Sequence, residues 1–434
     1  ILDRPVPTDS TMRVCSIVLL LAVSGSEILL AQDDPAKALH RERPYDLLLV
    51  GGRIMDGTGN PWFQGDVAIN KGRIVAVGRL ERTEAKRTID VAGKVVAPGF
   101  IDLHSHAASG LTADDPERRA APNLVTQGIT TVVLNPDGYS TLPVPEQRKV
   151  LDALDFGPNA ILMVGHNSIR KAVLQDDFRR AATRDEVDAM RGLVVEGMQA
   201  GAFGLTAGLE YSPGIWSTTE ELVSLVNELT PYDGLFAVHE RASGADHMWY
   251  LPSRHKVGQP TMVQNILELI EVGEKTGATV LATHIKARGV DFWGSSGVIV
   301  NLINRARSRG VRIYADQYPY NTTGSDGRIV LLPDWLWEGP HKQRSAKDEV
   351  DYAAALEKAL AEPKTAALLE TDVDHEIKRR GGAENVIVME HPDPALVGKT
   401  LQELADIAES TAVEAVYALQ QGGDRHRAGG ARLR

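Results

Sequence analysis

The chain has 434 residues, of which 43% are hydrophobic and 24% charged, an ordinary balance for a globular protein with a sizeable core. Disordered, collagen-like and disulfide-scaffold proteins are therefore excluded, and the length allows two or three domains, or one α/β barrel with a small satellite domain. A net charge of −11 does not attract phosphate backbones, so we expect no nucleic-acid partner.

The first 31 residues have the pattern of a signal peptide preceded by a few upstream residues. A cationic start at Arg13 is followed by the apolar run 14–23, and a small residue, Ala31, precedes a polar stretch. We therefore expect export to the periplasm or the outside, with no membrane span in the mature chain, and an uncleaved anchor is the alternative. The only cysteine, Cys15, lies in this segment, so the mature chain would have no disulfide and no thiolate nucleophile.

Short strands punctuated by glycine follow over residues 45–95 and predict a small antiparallel β domain. Beyond it, apolar strand-like runs alternate with helical stretches, which predicts a parallel sheet, closed or open. The runs lie at 95–100, 129–134, 160–164, 203–206, 235–238, 279–282 and 311–315. We place the barrel at 96–423 and a flexible or aberrant tail at 424–434.

Two of the connecting helices have recognisable starts. Thr183 and Glu186 have the spacing of a capping box, and Gly201 follows the end of that helix. Ser217, with Glu220 three residues later, predicts the start of another helix.

Histidines and one aspartate lie where the predicted strands end. His104 and His106 are two positions apart, so on an extended strand their imidazoles share a face. Asp137 follows the second strand, His239 the fifth and His284 the sixth. The carboxyl ends of barrel strands build the active site, so we expect these side chains to lie together. Nitrogen and oxygen ligands of this kind bind Zn²⁺, which activates water and polarises carbonyls, so the pattern indicates hydrolytic chemistry.

Each of these histidines alone would more often be a structural or surface residue. It is their occurrence in order at successive strand ends that favours a metal site. Three other histidines, His166, His247 and His255, have no motif around them, and we interpret them as structural or surface residues.

The sequence resembles the amidohydrolase superfamily, and within it the D-aminoacylase, or N-acyl-D-amino-acid deacylase, family. Residues 46–54 and 72–74 resemble the strands that these enzymes carry ahead of the barrel. The further matching stretches are APGFIDLHSH (97–106), GLTAGLEYSPG (204–214), HIK (284–286) and DQYPY (316–320). The resemblance extends from about Tyr45 to about Gly423.

The resemblance implies a TIM-type (β/α)₈ metal-dependent hydrolase barrel with a small β-sandwich domain. It implies one or two Zn²⁺ ions, or other divalent ions, held by His104, His106, Asp137, His239 and His284. Asp137 occupies a position where the family typically has a cysteine. The resemblance also implies that an anionic small-molecule substrate is contacted through its free carboxylate by Tyr211, Lys286, Tyr320 and Arg241.

The stretch between His239 and His284 is longer than a simple βα unit needs. Long loops above a barrel often shape specificity. We therefore expect the segment 246–250 within it to mark a subgroup with its own substrate.

The family's general base is an aspartate that ends the eighth barrel strand, and no residue here is assigned to that role. Asp326 follows the seventh strand too closely, and Asp393 lies in what the resemblance makes an insertion before the last strand. The tail is rich in Gly and Arg and has no apolar periodicity. We therefore expect a C-terminally truncated chain that lacks the eighth strand, with a natural flexible tail as the alternative.

The expected function is metal-dependent hydrolysis of a linear amide, the deacylation of N-acyl-D-amino acids by metal-activated water. A cyclic-amide hydrolase of the dihydroorotase or hydantoinase kind is disfavoured, because those enzymes use a lysine on the fourth strand and none lies between Phe203 and Tyr211. A non-catalytic metal-binding remnant and a periplasmic solute-binding protein are the alternatives from other classes.

Overall fold

The computed structural model describes residues 45–80, 85–256, 260–320, 322, 331–337, 352–421 and 432–433. The predicted signal peptide and the loop with Asp326 lie outside these residues. The chain divides into two compact units between Pro98 and Gly99, just beyond the end predicted for the β domain. Among the described residues, no helix is both long enough and apolar enough to span a membrane.

The first unit is a five-stranded sheet in the order β3-β2-β1-β4, with β5 also paired to β1. Its strands are β1 (Tyr45–Ile54), β2 (Phe63–Asn70), β3 (Arg73–Gly78), β4 (Ala85–Asp90) and β5 (Val95–Val96). The pairs β1–β2 and β2–β3 are antiparallel, as predicted. β4 and β5 run parallel to β1, so the prediction of a wholly antiparallel domain is wrong.

The second unit contains parallel strands that follow one another in chain order, as predicted. They are β6 (Phe100–Asp102), β7 (Ile129–Val133), β8 (Asn159–Ile161), β9 (Val164–Gly165), β10 (Gly204–Gly208), β11 (Leu235–His239), β12 (Thr279–Ala282) and β13 (Ile313–Ala315). Together β8 and β9 form the third barrel strand, interrupted at Leu162 and Met163, because the Phe203 amide still donates to the Leu162 carbonyl at 2.9 Å. Within the described ranges, no strand pairs with the outer side of β6 or of β13.

Nine α-helices lie between these strands in the described residues, and the longer ones, from α4 onward, bury apolar side chains. They are α1 (Ala108–Leu111), α2 (Pro116–Arg119), α3 (Pro122–Val125), α4 (Val144–Asp152), α5 (His166–Leu174), α6 (Arg184–Gln199), α7 (Thr219–Asn227), α8 (Met262–Thr276) and α9 (Ser296–Ser308). Strand residues such as Leu205 and Phe236 and helix residues such as Leu225 and Ile266 share one buried core. This core fixes the strand ends from which the site is built.

The two predicted helix starts have different outcomes. The Thr183–Glu186 capping box is formed at the start of α6. α7 begins one residue later than predicted, because Thr218 accepts the cap hydrogen bond from the Glu221 amide. The Ser217 hydroxyl donates instead to the Gly214 carbonyl at 2.6 Å.

The residues after the seventh strand form a helical lobe with its own hydrophobic core, which includes Leu356, Val373 and Val416. The predicted barrel range 96–423 therefore contains this lobe as well as the barrel. The elements of the lobe are α10 (Tyr352–Ala361), α11 (Pro363–Arg379), β14 (Val388–Glu390), α12 (Leu401–Ile407), α13 (Ala412–Gln421) and β15 (Arg432–Leu433). β14 pairs antiparallel with β15, so it is not a barrel strand.

Short 3₁₀ helices complete the described structure. They lie at Pro136–Gly138, Gly214–Trp216, Thr230–Tyr232, Val290–Phe292, Asp334–Trp337, Ala383–Asn385 and Pro394–Leu396.

Candidate metal centre

The two histidines after the first barrel strand reach the same carboxylate. β6 ends at Asp102, whose Oδ1 accepts a hydrogen bond from the His104 amide at 3.1 Å. The His104 Nε2 atom lies 3.3 Å from Asp137 Oδ1, and His106 Nε2 lies 3.3 Å from Asp137 Oδ2. The two imidazoles therefore face the same point, as the spacing predicted, although the regular strand ends before them.

Asp137 is held on a tight turn after the second strand. Both Asn135 (φ 64°) and Asp137 (φ 57°) have left-handed backbone conformations, which are strained for residues with side chains. The side-chain Nδ2 of Asn135 donates to the Met163 carbonyl at 2.7 Å, and the Thr206 hydroxyl donates to the Asn135 backbone carbonyl at 2.6 Å. These buried bonds hold the turn, and with it the direction of the Asp137 carboxylate.

The histidines of the fifth and sixth strands complete the cluster. His239 Nδ1 lies 3.3 Å and His284 Nε2 3.6 Å from Asp137 Oδ1, and the two imidazole nitrogens are 2.9 Å apart. The His284 amide donates to Asp316, which ends the seventh strand. The structure therefore brings all five predicted ligands together, as two triads that share Asp137: His104, His106 and Asp137, and Asp137, His239 and His284.

The electrostatics of the cluster fit a divalent cation. Burial raises the pKa of Asp137, but the surrounding imidazoles outweigh burial and hold the pKa far below its usual range. Burial lowers the pKa of His284 to about 4, so this ring is neutral at neutral pH. The Asp137 Oδ1 atom is buried and makes no hydrogen bond, although three imidazole nitrogens lie within 3.6 Å of it. An ionised carboxylate oxygen enclosed by imidazoles in this way is a donor set that suits Zn²⁺.

The two triads differ in their exposure to solvent. The side chain of His106 is 70% exposed, whereas Asp137 is 11% exposed and His239 is buried. The triad with His239 and His284 is therefore the enclosed one, and the triad with His106 opens to solvent.

The residues predicted to contact a substrate carboxylate fall into two groups. The Tyr211 ring centroid lies 4.2 Å from that of His239, and Lys286 Nζ lies 3.0 Å from His284 Nδ1. Burial lowers the pKa of Lys286. Both residues therefore border the cluster. Tyr320 is 69% exposed, and its ring centroid lies 6.2 Å from that of Tyr318.

Arg241, the fourth residue predicted to contact the substrate, pairs with protein acceptors. Its Nε and Nη2 atoms pair with both carboxylate oxygens of Glu268 at 3.0 and 2.9 Å, and its Nη1 donates to the Ile215 carbonyl at 3.2 Å. Each guanidinium nitrogen thus has a protein acceptor, and because a guanidinium has five donors, a substrate contact by Arg241 stays a prediction. Asp393, which was not assigned as a base, caps the short helix Pro394–Leu396 in the helical lobe.

Sequence reasoning missed four ionisable residues around the cluster. Glu210 is buried beside His239, Arg288 pairs with Glu210, and Asp316 has a buried Oδ2 atom with no hydrogen-bond partner. Burial raises the pKa of Glu240, directly after His239, to about 8, so it is largely protonated at neutral pH. Acidic residues at the ends of apolar strands, as in GLTAGLEYSPG and DQYPY, were the available signal.

The comparisons with known proteins agree with this geometry. A sequence model of the amidohydrolase family matches residues 87–314. A D-aminoacylase from Alcaligenes xylosoxydans xylosoxydans is 33% identical over 72% of this chain and 66% of its own length. An N-acyl-D-aspartate deacylase from the same organism is 34% identical over 75% of this chain and 65% of its own.

A solved D-aminoacylase, described as having a binuclear metal centre, is 28% identical with a TM-score of 0.61. The similarity covers 90% of this chain and 71% of that one. The fold is thus an α/β barrel of the amidohydrolase type, as predicted. The chain belongs to the amidohydrolase family, and within it the similarity is to the D-aminoacylases. The matched part spans about two thirds of the length of the curated relatives.

Proposed function

We propose that this protein hydrolyses the amide bond of N-acyl amino acids, N-acyl-D-amino acids in particular, with one or two Zn²⁺ ions in the cluster. The observation that carries the proposal is the pair of triads sharing Asp137, whose buried Oδ1 atom has no hydrogen bond. The similarity to D-aminoacylases supports the substrate class.

His104, His106, Asp137, His239 and His284 would hold the ions. A divalent ion at this position supplies Lewis acidity, which activates water and polarises an amide carbonyl. The protein's own contribution is to fix the donor atoms. Asp137 stays ionised because of the imidazoles around it, and His284 stays neutral because it is buried.

Lys286 and Tyr211 would bind and orient the substrate. Both lie at the edge of the cluster, against His284 and His239 respectively. An ammonium group and a phenol hydroxyl are suitable donors to the free carboxylate of an N-acyl amino acid. That contact would hold the substrate at its carboxylate, and so place its amide over the cluster.

The test is a substrate panel with the purified protein. N-acetyl-D-amino acids, their L-enantiomers and a hydantoin are assayed with protein stripped by a chelator and then reloaded with Zn²⁺. We expect turnover of the D-substrates that is lost with the chelator, restored by zinc and absent in His239→Ala. Hydrolysis of the hydantoin alone would favour a cyclic-amide hydrolase. Zinc bound at both triads without turnover of any substrate would leave a non-catalytic metal-binding protein.

We also propose that the protein is exported. The support is the sequence pattern around Arg13, the apolar run 14–23 and Ala31. The intact mass of the native protein tests the proposal, since a species that begins near Gln32 is expected. A native species that retains residues 13–31 would contradict cleavage.

A further inference from the structure

We propose that Glu210 is a positioning residue for the metal ligand His239, and that the chain of polar contacts Glu210–Arg288–Asp246–Arg379 extends this role to helix α11 of the helical lobe. The inference rests on the proposed zinc site. It concerns residues outside both triads.

The first observation is the way the two nitrogens of His239 are used. Nδ1 faces the cluster, 3.3 Å from Asp137 Oδ1, while Nε2 lies 3.3 Å from Glu210 Oε2. A carboxylate that accepts the Nε2 hydrogen fixes the tautomer, which leaves the Nδ1 lone pair directed at the cation. Glu210 is only 2% exposed and does not belong to either triad, so it acts on the cation through His239.

The second observation is that Glu210 is itself held by the loop that follows the fifth strand. Its Oε1 atom accepts hydrogen bonds from the Met248 amide and from Arg288 Nη2, the latter at 3.1 Å. Its backbone carbonyl accepts the Trp249 indole hydrogen at 2.7 Å. The loop segment 246–250, for which the sequence predicted a specificity role, therefore contacts a residue that orients a metal ligand.

The third observation is that the chain of polar contacts continues into the helical lobe. Arg288 Nη2 also donates to the Asp246 carbonyl at 2.9 Å, and the Asp246 carboxylate pairs with Arg379 Nη1 at 2.5 Å. Arg379, at the end of α11, also pairs with Glu376. These side chains are buried or nearly so. The contacts Glu210–Arg288 and Asp246–Arg379 are ion pairs, and the contact Arg288–Asp246 uses the backbone carbonyl of Asp246. Neutralising the Asp246 carboxylate therefore leaves Arg379 without this partner and loosens the backbone that holds Arg288. The end of α11 therefore contributes to the position of Glu210.

A second link between the same loop and the same helix provides a matched control. Asp372 on α11 accepts hydrogen bonds from the Ser253 amide and hydroxyl at 2.9 and 2.6 Å, and from the Trp335 indole at 2.8 Å. Asp372 is fully buried, and no hydrogen bond or ion pair joins it to Glu210 or Arg288. Losing this link loosens the loop and the helix without breaking the chain of polar contacts from Glu210 to Arg379.

The experiment measures zinc affinity and stability side by side. The variants Glu210→Gln, Asp246→Asn and Asp372→Asn are compared with the wild type by chelator competition for Zn²⁺ and by urea unfolding. We expect Glu210→Gln to weaken the tighter zinc site about 10- to 100-fold, the range found when partners of metal-ligating histidines are removed. Asp246→Asn should weaken it by a smaller factor, and Asp372→Asn should lower stability with zinc affinity unchanged.

Several outcomes would overturn the inference. Unchanged zinc affinity in Glu210→Gln would remove the positioning role, and equal zinc affinities in Asp246→Asn and Asp372→Asn would remove the link to α11. If Glu210→Gln does not fold, Glu210→Asp takes its place, and its shorter reach should still weaken zinc. Failure of the wild type to bind zinc would instead refute the proposed function, so the two failures are distinguishable.

Discussion

Replacing His106 by alanine should remove one of two cation sites and leave the other, because His106 belongs to one triad only. Replacing Asp137 by alanine should remove both, because its carboxylate oxygens face both triads. The difference between the two variants is therefore a difference in stoichiometry. We expect two ions for the wild type at saturating zinc, one for His106→Ala and none bound tightly for Asp137→Ala.

The size of the effect follows from the number of ligands. Structural zinc sites with four protein ligands are held by about 10–16 kcal/mol. One ligand then accounts for about 2.5–4 kcal/mol, or about two to three orders of magnitude in the dissociation constant. His106→Ala should weaken the open site by this factor, and the enclosed site with His239 and His284 should keep its affinity.

Equilibrium dialysis against buffered zinc, followed by elemental analysis, counts the ions. His255→Ala is the matched control, since His255 is an exposed histidine outside both triads. Two tightly bound ions in His106→Ala would refute the assignment of that triad. A tight site that survives in Asp137→Ala would refute the shared carboxylate.

Three further predictions concern the substrate, the core and the pH dependence of stability. Lys286→Met should raise the KM for an anionic N-acyl amino acid about 10- to 100-fold, because a charge-assisted hydrogen bond is lost, and kcat should be less affected. An equal effect on the KM of the neutral amide analogue would contradict a carboxylate contact. Glu221→Gln should lower the free energy of unfolding by about 3–5 kcal/mol, because it leaves the charge of the buried Arg170 unpaired. The zinc content should not change. A urea titration that shows no loss of stability would contradict this prediction. Burial raises the pKa of Glu210, but Arg288 and His239 outweigh it and lower the pKa from 4.5 to about 2. A carboxylate whose pKa is lower in the folded than in the unfolded state stabilises the fold at pH values above the unfolded pKa, and this stabilisation is lost as the pH falls. In metal-free protein, the difference in stability between the wild type and Glu210→Gln should therefore shrink between pH 4.5 and pH 2. A constant difference would contradict the pKa shift.

The barrel strands were predictable because buried parallel strands are continuous apolar runs. Such runs can be recognised in the sequence without knowing which strands pair with them. Phe236 and Val238, for example, are fully buried within β11, and the sequence shows them as part of one apolar segment. The same rule indicated the proposed metal ligands, since a polar residue directly after such a run lies at the carboxyl end of the sheet. The direction in which β4 pairs with β1 could not be predicted, because the apolar pattern of a strand does not specify its neighbour.

The charged environment of the cluster was not predictable for a related reason. Arg241 and Arg288 are both arginines in loops above the barrel, and nothing in the sequence next to them distinguishes their contacts. Their roles are set by partners distant in sequence, Glu268 for Arg241 and Glu210 for Arg288. The link from Asp246 to Arg379 spans more than a hundred residues and joins a barrel loop to a lobe with a separate core. Such partners become visible only when the chain is folded.

The backbone of the cluster is held in unusual conformations by the residues around it. Eight non-glycine residues in the described ranges have positive φ, and three of them, Asn135, Asp137 and His284, lie in or beside the triads. Each such conformation costs free energy, so it persists only where its surroundings enforce it. Thr206 and Asp316 supply buried hydrogen bonds to the backbone at Asn135 and His284. These bonds hold the donor atoms in place, so substitutions such as Thr206→Val should weaken zinc binding without removing a ligand.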